Sequence, residues 1–147
     1  MSSPQPFKVD VPQERLEKIE RRIREYEWHE MPSDGGWSYG ANLDYMKEIC
    51  AYWVDEFDWR RAEEGLNRFP QFTLDIEGIP IHYIEEKGSG TQPRSLILNH
   101  GWPGSVFEFV HIIDQLAHPE KYGGSVDDAF TVIAPSLVGY GFSGKPA

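Results

Sequence analysis

The chain has 147 residues, a formal net charge of −10, 39% hydrophobic and 14% aromatic residues, and one cysteine, Cys50. This acidity argues against nucleic acid or an anionic membrane surface as a partner, because both need a basic patch. The apolar content supports a packed core rather than disorder, and one thiol permits neither an internal disulfide nor a cysteine metal cluster.

No apolar run is long enough to span a bilayer, and residues 1–6 lack the basic and apolar regions of a leader. The expectation is a cytoplasmic chain with no transmembrane segment. Residues 1–11 read as a loose lead-in. Pro12 suits a helix start, and Leu16, Ile19, Ile23 and Tyr26 recur at steps of three and four. That spacing predicts an amphipathic helix over residues 12–28. Pro32 and Ser33-Asp34-Gly35-Gly36 end it in a loop carrying Trp37 and Tyr39. Asn42 can cap a second helix, with Leu43, Met46, Ile49, Trp53, Val54 and Phe57 on one broad apolar face. Asp58 can cap a short third helix, with Trp59, Ala62, Leu66 and Phe69 inward and Pro70 at its end. Large aromatics at helical spacing predict packing rather than a ligand box.

At Gln71 the period changes to two. Phe72, Leu74 and Ile76, then Ile79, Ile81 and Tyr83, alternate with other residues around a Glu77-Gly78 pair. This predicts a β-hairpin in which His82 points away from the apolar face. Residues 85–93 are a polar connection. Residues 96–99 read as a strand buried on both faces, as parallel strands are. The tight turn His100-Gly101-Trp102-Pro103-Gly104-Ser105 follows. Ser105-x-x-Glu108 matches a capping box and opens a helix over residues 106–117, with His111 and His118 toward solvent. Residues 130–134 read as a second buried strand, leading into Gly139-Tyr140-Gly141-Phe142-Ser143-Gly144. The fold class is therefore α/β: a helical segment over residues 1–70, then over residues 71–147 an antiparallel hairpin and one βαβ unit.

Candidate chemistry narrows quickly. The five histidines form no His-Glu-x-x-His or Cys/His cluster, so no metal is expected. Gly139-x-Gly141-x-x-Gly144 has dinucleotide-fingerprint spacing, but Pro135 and Ser136 separate it from the strand and Pro146 follows. No helix start is left to face a pyrophosphate, and no cofactor is expected. Ser143 has Gly141 before it but Lys145 after it, so it fails as a serine elbow. The turn at residues 100–104 remains. Glycine and proline at the carboxyl end of a strand can fix a backbone N–H toward developing negative charge, although a plain β-to-α connection would use similar residues.

His100-Gly101-Trp102-Pro103-Gly104-Ser105 with Phe107-Glu108-Phe109 resembles the HGWPGS turn of microsomal-type epoxide hydrolases, which have the α/β-hydrolase fold. Tyr52-Trp53, Asp58-Trp59-Arg60 and Leu66-Asn67-Arg68-Phe69-Pro70 are similar to the helical N-terminal region of that family. Gly78-Ile79-Pro80-Ile81-His82-Tyr83 is similar to its G-x-x-I-H-F hairpin. Pro135-Ser136-Leu137-Val138-Gly139-Tyr140-Gly141-Phe142-Ser143 is similar to its PSLPGYGFS loop, with Val138 for the usual proline. The blocks follow in order along nearly the whole chain.

The resemblance implies hydrolysis of an epoxide to a vicinal diol, with xenobiotic or aromatic epoxides as substrates. An aspartate nucleophile would form an alkyl-enzyme ester, and a His–acid pair would activate water against it. By motif, Trp102 carries the oxyanion-hole backbone N–H and its indole lines the substrate pocket. His100, Gly101, Pro103 and Gly104 form the oxyanion turn, with Pro103 setting it through a cis peptide bond. The family's nucleophile elbow, relay acid, histidine and lid tyrosines have no matching positions among these 147 residues. The expectation is the N-terminal portion of an epoxide hydrolase, inactive alone, whose incomplete sheet would self-associate. A non-enzymatic binding or regulatory remnant and a truncated esterase-type hydrolase are the alternatives.

Overall fold

The computed structural model describes residues 3–32 and 35–146, so Ser33 and Asp34 of the predicted loop lie outside the described residues. The chain divides into two compact units, residues 10–61 and residues 1–9 with 62–147.

The first unit carries α1 (Gln13–Arg24), α2 (Leu43–Asp55) and the start of α3 (Trp59–Asn67). Pro12 precedes α1, which stops at Arg24, four residues short of the predicted end. The Asn42 side chain accepts from the Tyr45 N–H at 3.0 Å, and Asp58 accepts from Arg61 at 3.1 Å, so both predicted caps form. An Arg24–Asp55 ion pair at 3.0 Å joins α1 to α2, but both side chains are well exposed, where such pairs contribute little. The predicted packing face of α2 is not buried: Ile49, Trp53 and Phe57 are 41%, 49% and 39% exposed. Its apolar period is real, but no residue of α2 is buried.

The second unit holds the sheet and all of the buried apolar residues among those described. β1 (Gln5–Phe7), β2 (Gln71–Ile76), β3 (Ile79–Glu86), β4 (Arg94–Ile97) and β5 (Phe130–Pro135) form one sheet in the order β1-β2-β3-β5-β4. The first three contacts are antiparallel and β4–β5 is parallel. β1 lies in the stretch expected to be a loose lead-in; it pairs with β2 from Gln5↔Thr73 to Phe7↔Gln71. Three residues rich in Pro and Gln carry too little pattern to announce a strand.

Glu77-Gly78 makes the predicted hairpin turn, with Ile76 opposite Ile79. Both turn residues have positive φ, 54° and 82°, the requirement of a type I′ turn whose twist matches the strands. Glu77 is the poor fit there, since a side chain other than Asn or Asp resists that region. Glu77→Asn should stabilise the chain by roughly 0.5 kcal/mol and Gly78→Ala should cost about 1 kcal/mol. Urea midpoints check both.

His82 corrects a reading of the hairpin. The period of two holds, but the buried face is the opposite one: His82 and Ile84 are both 0% exposed, whereas Ile76 is 50% exposed. The helix after the central turn is also interrupted. Val106–Phe109 is a 3₁₀ turn and Ile113–Ala117 is α4. The β-branched Val110, Ile112 and Ile113 disfavour a continuous helix, while Val106, Val110, Ile113 and Ala117 still face the core. β4 pairs in parallel as expected but is the sheet edge, with Ile97 60% exposed rather than buried.

Candidate functional site

β4 delivers the turn. Leu98 N–H donates to Ile133 O at 2.9 Å, prolonging the β4–β5 ladder up to the turn. Gly104 N–H then donates to Gly101 O at 2.7 Å, and Trp102–Pro103 is cis. A four-residue turn with cis-proline third is type VI, and it has the cis bond the resemblance implied. Ser105 ends the turn as a helix cap by accepting from Phe107 N–H at 3.3 Å. A Cβ on Gly104 would collide with Glu108 Oε1, so the carboxylate lies directly over that glycine.

The predicted site residues are thus held together, in unequal environments. His100 is 4% exposed and Trp102 is 83% exposed. Gly101 and Pro103 are exposed and Gly104 is half-buried. Among the described residues the Trp102 N–H has no hydrogen-bond partner. Among the described residues the turn thus presents the Trp102 N–H, with those of Gly101 and Ser105, at the carboxyl end of a parallel strand, where open α/β sheets bind ligands.

His100 faces inward. Its Nε2 accepts from Leu137 N–H at 3.1 Å, its Nδ1 lies 3.4 Å from Gly101 O, and its ring meets Tyr140 edge-on at 5.5 Å. Leu137 opens the loop after β5. Gly139 N–H donates to Gly144 O at 2.9 Å and Gly144 N–H donates to Pro80 O at 2.7 Å, tying that loop to the hairpin. The three glycines of the dinucleotide-like spacing serve this closure: a Cβ on Gly141 would meet Ser136 Oγ at 2.6 Å, and one on Gly144 would meet Pro80 Cδ at 2.7 Å.

Single-residue reading missed the groups behind the turn. His82 Nε2 donates to Gln71 Oε1 at 2.9 Å and its Nδ1 accepts from Ser136 Oγ at 2.9 Å. The orientation is set by Gln71, whose Nε2 donates to Leu66 O and Asn67 Oδ1 and so turns its oxygen to the ring. Burial lowers the His82 pKa from 6.5 to about 4, so the ring is neutral. Repeated Gln, His and Ser at unrelated positions give no local pattern that could have announced this network.

His118 is a second correction. It is not turned to solvent: Nε2 lies 3.0 Å from Glu86 Oε1 and Nδ1 lies 2.6 Å from Ser89 Oγ, which also donates to Glu120 Oε1 at 2.7 Å. This cluster fastens the β3–β4 connection to the end of α4. His111 is exposed, as expected. No group of three or more His, Cys, Asp or Glu among the described residues is placed to hold a metal.

Comparison with known proteins agrees with this architecture. Residues 4–109 match the family described as epoxide hydrolase N terminus. Epoxide hydrolase 1 of Sus scrofa is 41% identical over 142 residues, which cover 94% of this chain and 31% of that protein. The structure of Aspergillus niger epoxide hydrolase superposes with a TM-score of 0.84 at 32% identity, covering 99% of this chain and 38% of that one. The juvenile hormone epoxide hydrolase of Bombyx mori gives a TM-score of 0.83 at 29% identity, covering 100% of this chain and 35% of that one. The chain thus spans about a third of the length of its relatives. No helix among the described residues is long and apolar enough to cross a membrane. With its sheet, its HGWPGS turn and its family match in agreement, the chain belongs to the epoxide hydrolase family and has the first part of its α/β-hydrolase fold.

Proposed function

We propose that this chain is the N-terminal portion of an enzyme that hydrolyses an epoxide to a vicinal diol, and that it contributes the oxyanion turn. Residues 1–70 are its helical N-terminal region and residues 71–147 the beginning of its hydrolase domain, with β1 added to the sheet. The observation that carries this reading is the unpartnered Trp102 N–H on a type VI turn at the end of β4. When water attacks the alkyl-enzyme ester, charge develops on the ester's carbonyl oxygen, and a backbone-held N–H facing it would need no reorganisation. The exposed Trp102 indole is free to form a wall of the epoxide pocket.

One donor without a nucleophile cannot run the covalent route, and no aspartate among the described residues lies on a strand-to-helix elbow. The 147-residue chain alone is expected to form no diol from styrene-oxide-type epoxides above a buffer blank. Turnover that a Trp102 turn substitution abolishes would overturn that expectation.

The same reading accounts for β4 as an edge. An apolar strand with unpaired N–H and C=O groups recruits another strand, and in the whole fold its neighbour would come from the remaining chain. The isolated chain is expected to self-associate through this edge. Ile97→Lys should shift it toward monomer on sizing chromatography; an unchanged elution volume would place the contact elsewhere.

A further inference from the structure

The buried polar residues among those described are few, and four of the five lie in one connected line. Gln71, His82, Ser136 and His100 are 4%, 0%, 0% and 4% exposed. Gln71 accepts from His82, and His82 accepts from the Ser136 hydroxyl. Ser136 N–H donates to His82 O at 2.9 Å, and Ser136 O accepts from Ser143 Oγ at 2.6 Å. Ser143 Oγ in turn accepts from His82 N–H at 2.9 Å, closing the loop around Ser136. The next peptide N–H after Ser136 is that of Leu137, which donates to His100 Nε2.

The proton inventory of this line has one solution. A backbone N–H can only donate, so His100 Nε2 carries no proton, and a neutral ring must hold its proton on Nδ1, facing Gly101 O. His82 is the opposite tautomer, protonated on Nε2. We propose that His100 is a positioning residue of the oxyanion turn: as the last member of the line Gln71–His82–Ser136–Leu137 N–H–His100, it fixes the Trp102 peptide against the loop after β5. The contacts on either side of the turn support this. Gly101, which accepts from Gly104 N–H, is also the residue that His100 Nδ1 faces. Losing the imidazole would therefore leave the turn attached only through β4 and the Ser105 cap.

This inference rests on the oxyanion reading for its purpose, but its test needs no substrate. Amide hydrogen exchange of the 147-residue chain is measured at Leu137 and Gly104, with Glu85 N–H, bonded to Pro70 O inside the sheet, as the control. Gln places an amide oxygen near the position of the imidazole Nε2, whereas Asn reaches only as far as Nδ1. His100→Phe and His100→Asn are expected to speed exchange at both Leu137 and Gly104 about tenfold, the size of one lost hydrogen bond. His100→Gln is expected to stay within about threefold of the parent, with Glu85 unchanged. If His100→Phe unfolds the chain and Glu85 accelerates with the rest, the Gln and Asn pair decides the matter. Equal behaviour of Gln and Asn, or a Leu137 effect that leaves Gly104 untouched, overturns the proposal. An epoxide assay that failed while these exchange rates behaved as expected would instead count against the oxyanion reading alone.

Discussion

Between pH 7 and pH 5 the chain should lose about 2 kcal/mol of stability through His82 alone. The folded-state pKa of His82 is lowered to about 4 from 6.5 because burial disfavours the charged ring. Between those two values the unfolded chain binds a proton that the folded chain does not, so stability rises with pH across that window and falls on acidification. The full effect, reached below pH 4, is about 3 kcal/mol. Charging the ring would turn Nδ1 into a donor, so the Ser136 hydroxyl would have to rotate and accept from it. Urea unfolding of the parent and of His82→Gln at fixed protein concentration should give curves that converge as pH falls from 7 to 5. Parallel curves would mean that His82 titrates alike in both states.

The largest expected effect on catalysis belongs to a single backbone atom. On the proposed oxyanion reading, joining the chain to the part of Sus scrofa epoxide hydrolase 1 that follows the matched stretch would supply a nucleophile for the Trp102 N–H to serve as an oxyanion donor. Replacing that amide by an ester, using the α-hydroxy acid analogue of tryptophan, removes the donor and leaves the indole. The kcat should fall by about 100–1000-fold, or roughly 2.7–4 kcal/mol of transition-state stabilisation. Trp102→Ala does the reverse, keeping the N–H and removing the indole, so it should act mainly on KM. A Trp102→Ala variant as damaged in kcat as the ester would show that the side chain and not the backbone carries the effect.

Much of the architecture was legible because it rests on local pattern. The Asn42 and Asp58 caps, the Glu77-Gly78 turn, the β4–β5 parallel pair and the turn between them all follow from residues close in sequence. Errors arose where a face had to be chosen. Ile79, Ile81 and Tyr83 look like the inward side of β3, yet the side bearing His82 and Ile84 is the one sealed. Phe7 and Phe142 both pack edge-on against His82, at centroid distances of 4.8 and 5.2 Å, from segments 60 or more residues away. No periodicity within β3 encodes those partners. The aromatic face of α2 erred in the other direction: hydrophobicity predicts what a residue prefers, and exposure depends on whether a cover is present. The HGWPGS turn could be found from its own six residues. What anchors it, Leu137 N–H and the Gln71–His82–Ser136 line, is distributed over more than 60 positions and had no sequence mark.

The most direct test of the central claim is diol formation from a styrene-oxide-type epoxide by the chimera of residues 1–147 with the remainder of the Sus scrofa enzyme, measured beside the 147-residue chain alone. The account predicts turnover by the chimera and none above the blank by the chain. A well-folded chimera that forms no diol, or a chain that forms it unaided, would contradict the claim that these residues supply the oxyanion turn to a nucleophile they do not contain.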